Sequence, residues 1–148
     1  MSVTITEFAD RINDLMPVMI KEFAKRQVNE FFKGKITLPQ FLILDFLEKN
    51  GESKMTDLAH FVSVSTAAMT GMVDRLVNYG YAARESELHD RRVIKIKLNL
   101  RGNRLVKKIN QQRRNMIIDV FGRVSETDRS DYLRVLMKIK EVLTKNRK

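Results

Sequence analysis

Apolar residues fall at steps of three and four through Ile5, Phe8, Ile12, Leu15, Met16, Met19, Ile20 and Phe23. That spacing stacks side chains on one face of a helix. It predicts a long amphipathic helix capped near Thr6, kinked at Pro17 because proline cannot donate its backbone hydrogen bond, and closed by Gly34. A second helix is predicted from Thr37-Leu38-Pro39, a cap followed by proline in the opening turn. It carries Phe41, Leu42, Leu44, Phe46 and Leu47 and ends at Asn50-Gly51. Thr56-Asp57 opens a short third helix with Leu58, Ala59 and Phe61. Ser63-Val64-Ser65 then offers a turn and a serine cap for a fourth helix that runs to Tyr79 and stops at Gly80. Two short helices joined this tightly resemble a helix-turn-helix.

Past Gly80 the period changes. Residues 81–84 read as extended and 85–92 are polar. Val93, Ile94, Ile96 and Leu98 then alternate with Lys95 and Lys97 at period two, which makes a β-hairpin with a charged tip. Helical spacing resumes over 100–124 through Leu105, Ile109, Met116, Val120 and Phe121. A last helix, capped by Ser125 with Asp128 in the capping-box position, carries Tyr132, Leu136, Ile139 and Leu143. The fold class expected is mainly α with a small β-hairpin wing, a winged helix-turn-helix. Its first helix and last two helices (6–33 and 100–146) are expected as dimerisation helices flanking a compact winged-helix lobe over 37–98.

Composition narrows the partners. Twenty-eight Lys and Arg against eighteen Asp and Glu leave a net charge of +10 on 148 residues, so polyanions are the natural ligands. Residues 84–114 alone hold eleven basic side chains against three acidic ones. Phosphate contacts by such a cluster give salt-dependent affinity. No cysteine is present, which removes disulfides, thiolate metal sites and cysteine nucleophiles. No run reaches the roughly 18 apolar residues of a membrane span, and the opening residues lack an export signal. A cytoplasmic, soluble protein with no membrane partner is expected. Catalysis would need a nucleophile-base pair, a ligand cluster or a phosphate-cradling loop. The two isolated histidines supply none of these: His60 reads as a partly buried helix residue and His89 as wing-tip surface. The expectation is no enzyme, no catalytic or metal site and no cofactor. The eight methionines read as core filling in preference to an adaptable pocket.

An α-helix fits the major groove. At about 100° per residue, Met69, Met72, Val73 and Leu76 share one side of the fourth helix, and Ala67, Thr70, Gly71, Asp74 and Asn78 the other. The apolar side must face the core, so the second set, with Ser65 and Thr66, faces the groove. These side chains are short: they can bond phosphates or bases through hydroxyls and touch thymine methyls, but cannot form the bidentate arginine fork on guanine. Arg75 on the flank has two open readings, a phosphate contact and an intramolecular ion pair. The tip reads Glu87-Leu88-His89-Asp90-Arg91-Arg92. An arginine on a β-tip can enter the minor groove, and a neighbouring carboxylate can hold its guanidinium; Asp90 beside Arg92 has that arrangement.

Taken together, Leu38-Pro39-Gln40-Phe41, Met55-Thr56-Asp57-Leu58-Ala59, Thr70-Gly71-Met72-Val73-Asp74-Arg75-Leu76, Gly80-Tyr81, Asp90-Arg91-Arg92 and Ile96-Lys97-Leu98-Asn99-Leu100-Arg101-Gly102 stand in an order and spacing that resembles the MarR family. The resemblance implies a homodimeric transcriptional regulator, a repressor on a pseudo-palindromic operator, that small anionic or aromatic effectors release from double-stranded DNA. By position it implies Ser65, Thr66, Ala67 and Thr70 in the major groove, and Arg92 in the minor groove with Asp90 bracing it. The outward face of the fourth helix adds Gly71 and Arg75 to the expected major-groove set, and the composition of the tip adds His89 and Arg91 to the expected wing set. Asn99 stands where the family usually caps the next helix with threonine, and asparagine caps equally well. The rival reading is a sequence-tolerant architectural nucleic-acid binder, to which the small recognition face and the heavy positive charge also point.

Overall fold

The computed structural model describes residues 2–26 and 36–145; the expected stop at Gly34 and the ends of the two predicted arms lie outside them. The elements run α1 (Ile5–Arg26), α2 (Leu38–Asn50), β1 (Ser53–Lys54), α3 (Met55–Val62), α4 (Thr66–Asn78), β2 (Ala82–Ser86), β3 (Ile94–Leu98), α5 (Leu100–Phe121) and α6 (Glu126–Lys145). Contacts divide the chain into two compact units, Met1–Gln112 and Arg113–Lys148, with α5 passing from the first into the second.

Local chemistry sets the helix starts. Thr37 accepts from the Gln40 backbone while Gln40 accepts from the Thr37 backbone, a reciprocal box with proline in the first turn. Ser65 Oγ accepts from the Ala68 N–H at 3.1 Å, Asn99 Oδ1 from the Gly102 N–H at 2.9 Å, and Ser125 Oγ from the Asp128 N–H at 3.1 Å. Two expectations need correcting. The first helix starts before Thr6, because Thr4 and Glu7 form the box: Thr4 Oγ1 accepts from the Glu7 N–H at 3.2 Å and the Glu7 carboxylate accepts from the Thr4 N–H at 3.0 Å. The third helix starts at Met55 after Lys54, which supplies no side-chain cap. Helix α1 runs through Pro17 as one element.

The first unit's core draws on α2, α3, α4, β2, β3 and the first half of α5, with no buried side chain from α1 or β1. Phe41, Ile43, Leu44 and Leu47 of α2 pack with Leu58 of α3, Met69, Val73 and Leu76 of α4, Ile96 of β3 and Val106 and Ile109 of α5, all buried. Each such side chain contributes roughly 1.5–3 kcal/mol by leaving water. The sheet is antiparallel with strand order β1-β3-β2. In register, Ala82 faces Leu98 and Ser86 faces Ile94 across the hairpin, and Ser53 faces Ile96 on the other side.

Where α4 ends, the chain turns at Gly80 with φ 80°, a conformation side chains resist. That turn is fastened to the start of α5. Asn99 donates from its backbone to the Tyr81 carbonyl at 3.2 Å and from its side chain to the Gly80 carbonyl at 2.5 Å. Arg101 donates to the Tyr79 carbonyl at 2.9 Å, its guanidinium 5.0 Å from the Tyr81 ring centre. Gly102 permits this approach, since a Cβ there would collide with the Tyr81 carbonyl.

Helices α1 and α6 contain no buried residue. Ile5, Phe8, Leu15 and Ile20 of α1, Ile118 of α5 and Leu133, Met137, Val142 and Leu143 of α6 all stand exposed. No helix among the described residues is long and apolar enough to cross a membrane.

Candidate nucleic-acid interface

Helix α4 divides as its spacing requires. Met69, Val73 and Leu76 are buried, Met72 is half-buried, and Ser65, Thr66, Ala67, Gly71, Arg75 and Asn78 are exposed, with Thr70 and Asp74 half-exposed between them. Hydrogen bonds already made within the helix leave the two central hydroxyls with different capacities. The Thr70 hydroxyl donates to the Thr66 carbonyl at 2.9 Å, which commits its proton and leaves lone pairs to accept. The Ser65 hydroxyl accepts from Ala68 and keeps its proton to donate. At position 71 an added Cβ would meet nothing within 4 Å, so the space above this turn is open.

The wing is a short, internally braced finger. The Glu87 N–H donates to the Val93 carbonyl at 3.0 Å and the Val93 N–H to the Asp90 carbonyl at 3.1 Å. Asp90 does brace this tip, but not through the expected partner: its Oδ1 accepts from the Arg92 backbone N–H at 3.0 Å. A side chain two residues upstream reaches a backbone amide more easily than a guanidinium at the end of a long stem. His89, Arg91 and Arg92 are exposed, and among the described residues no carboxylate pairs with Arg91, Arg92 or Arg75. His60 is exposed too, where partial burial was expected.

Not all the local positive charge faces outward freely. Lys95 lies 3.5 Å from Glu87 and 3.9 Å from Glu52. Lys97 pairs with Glu85, whose hydrogen bond and charge raise its pKa above the ordinary lysine range. Arg84 pairs with Asp74 and also donates to the Thr70 carbonyl at 3.4 Å. The exposed Arg84–Asp74 pair links β2 to the outer side of α4, a contact that the place of Asp74 on the outer face alone did not reveal.

A cleft of about 500 Å³ is lined by Lys54, Met55, Thr56, Thr66, Thr70, Arg84, Arg92, Val93 and Ile94. It brings Thr66 and Thr70 of the predicted recognition set beside Arg92 of the predicted wing set. Lys54 and Thr56 join them from the β1–α3 junction and were missed, since nothing in their local pattern distinguishes them from solvated loop. Ser65, Ala67, Gly71, Arg75, His89, Asp90 and Arg91 do not line it. No group of three or more metal-ligating side chains occurs among the described residues.

Comparison with known proteins bears on the fold and the family. The MarR family profile matches residues 36–94, the stretch from the start of the core through the wing. The HTH-type transcriptional regulator FarR of Neisseria gonorrhoeae is 30% identical over 114 residues, 75% of this chain and 78% of that protein. A MarR family protein from Bacillus stearothermophilus superposes with a TM-score of 0.74 at 21% identity, covering 96% of this chain and 99% of that one. FabT of Streptococcus pneumoniae, solved in complex with DNA, superposes with a TM-score of 0.77 at 18% identity over 93% of this chain and 98% of its own.

Proposed function

Because the chain belongs to the MarR family of DNA-binding transcriptional regulators, we propose that it acts in the cytoplasm as a homodimeric repressor on a pseudo-palindromic operator. It is a regulator and not an enzyme. The observation that carries the reading is the placement of Thr66, Thr70 and Arg92 on one cleft, with the small-residue side of α4 uncovered. In the proposed complex Ser65, Thr66, Ala67, Thr70 and Gly71 meet the major groove, Arg75 a flanking phosphate, and His89, Arg91 and Arg92 the minor groove and its rims, with Asp90 holding the tip.

Dimerisation is supported by the unburied apolar stripes of α1 and α6. A second copy related by a twofold axis would cover such stripes and set two recognition helices about 34 Å apart. Release by a small anionic or aromatic effector belongs to the same reading and rests on the family resemblance.

Competition binding tests it. Duplexes selected from a random pool by the full-length protein should outcompete random DNA by roughly 10³ or more at physiological salt. Equal competition would replace the repressor with a sequence-tolerant architectural binder, the reading to which the absence of an arginine fork on α4 points.

A further inference from the structure

Between Ser86 and Val93 every residue is polar except Leu88, which is 97% exposed, more than any other large apolar side chain among the described residues. Most other strongly exposed apolar residues lie on helical stripes of α1, α5 and α6, where a like surface can cover them. Leu88 stands apart from those stripes, at the end of a finger. The finger cannot fold it away: Glu87 on one side is tied to the Val93 carbonyl and to Lys95, and Asp90 on the other is tied to the Arg92 backbone. Arg91 and Arg92 follow it in the same tip and are also exposed, which suits a partner that is anionic at its rim and accepts an apolar group within.

The DNA minor groove has that character. Its rims are phosphates, its walls are deoxyribose C–H groups, and apolar side chains are recurrent guests there. Resting on the operator reading above, we propose that Leu88 enters the minor groove beside Arg92 and selects A·T pairs at the outer edges of the operator. Guanine carries an amino group on the groove floor that adenine lacks. An apolar side chain pressed on that group removes its water and returns no hydrogen bond. Arg92 would supply attraction independent of sequence, and Leu88 the discrimination.

Selection from a random duplex pool with the wild-type chain, Leu88→Ser and Arg92→Ala, followed by binding across a salt series, tests this. The wild type should enrich A·T pairs outside both half-sites. Leu88→Ser should keep the half-sites, lose the flanking enrichment, and bind the wild-type duplex about tenfold more weakly with an unchanged salt slope. Arg92→Ala should lower the salt slope by about one unit. Exchanging flanking A·T for G·C should weaken the wild type but not Leu88→Ser, and inosine·C, which lacks the amino group, should restore it. Wild-type half-sites without flanking A·T enrichment, or flanking enrichment that Leu88→Ser retains, overturn this inference alone. A wild type that enriches no half-site overturns the operator reading and this inference with it.

Discussion

Thr70 and Ser65 both bring a hydroxyl to the outer side of α4, yet bonds made inside the helix give them opposite uses. Thr70, its proton committed to Thr66, suits an exocyclic amino group of adenine or cytosine; Ser65, its lone pair committed to Ala68, suits a phosphate oxygen. Gly71 adds reach. A mid-helix glycine costs roughly 1 kcal/mol relative to alanine, and here no neighbour within the protein requires it. Gly71→Ala should therefore raise the melting temperature while weakening binding to the selected duplex by about tenfold, 1.4 kcal/mol. Thermal unfolding and fluorescence anisotropy on the same preparation check both halves, and unchanged affinity would remove Gly71 from the interface. The outward set on α4 was legible in the sequence because helical spacing dictates it. The Asp74–Arg84 pair was not, because the two lie ten positions apart and meet only once β2 has docked. The bond from Asp90 to a backbone amide was equally hidden, since sequence names the carboxylate but not the donor it finds.

Elements were readable where their signals are local. The starts of α2, α4, α5 and α6 all coincide with side-chain caps visible in the sequence. Strand β1 was not readable: two residues cannot show alternation, and Ser53–Lys54 is a strand only because β3 pairs with it. The start of α1 was readable in principle, since Thr4-x-x-Glu7 is a capping-box pattern; Thr6 is an equally plausible cap by residue type, and geometry selects Thr4. That box makes the first turn sensitive to acid. The Thr4 backbone N–H, and then its hydroxyl, hold the Glu7 carboxyl below the usual carboxylate range. A pKa depressed by folding adds stability above the unfolded value and loses it as pH falls through the folded one. Amide exchange at Glu7 should thus show a well-protected first turn at neutral pH that frays below about pH 4. Glu7→Gln should lessen the protection at neutral pH and abolish its pH dependence, and an acid response surviving in that variant would assign it to another group.

At the scale of the whole chain, the core and the exposed apolar stripes are distributed unequally. Among the described residues every buried apolar side chain lies at or before Ile109, within the first unit, and none lies in the second, Arg113–Lys148. Yet α6 retains apolar side chains at Leu133, Met137, Val142 and Leu143 in contact with water. Their burial would contribute on the order of 25 cal/mol per Å², and in the proposed assembly a second chain provides it. Ending the chain after Gly122 should accordingly leave the lobe folded, with near-native circular dichroism from the remaining helices, while converting a dimer to a monomer by light scattering. Preference for the selected duplex should be lost in the same step, because a single lobe reads one half-site and forfeits the second. Cationic attraction should persist, since all the basic residues from Arg84 to Arg114 lie within the retained chain, and the residual binding should fall with salt as phosphate contacts do. A truncated monomer that still prefers the selected duplex by the full margin would show that discrimination resides in one lobe, and that the apolar stripe of α6 serves some purpose other than spacing two of them.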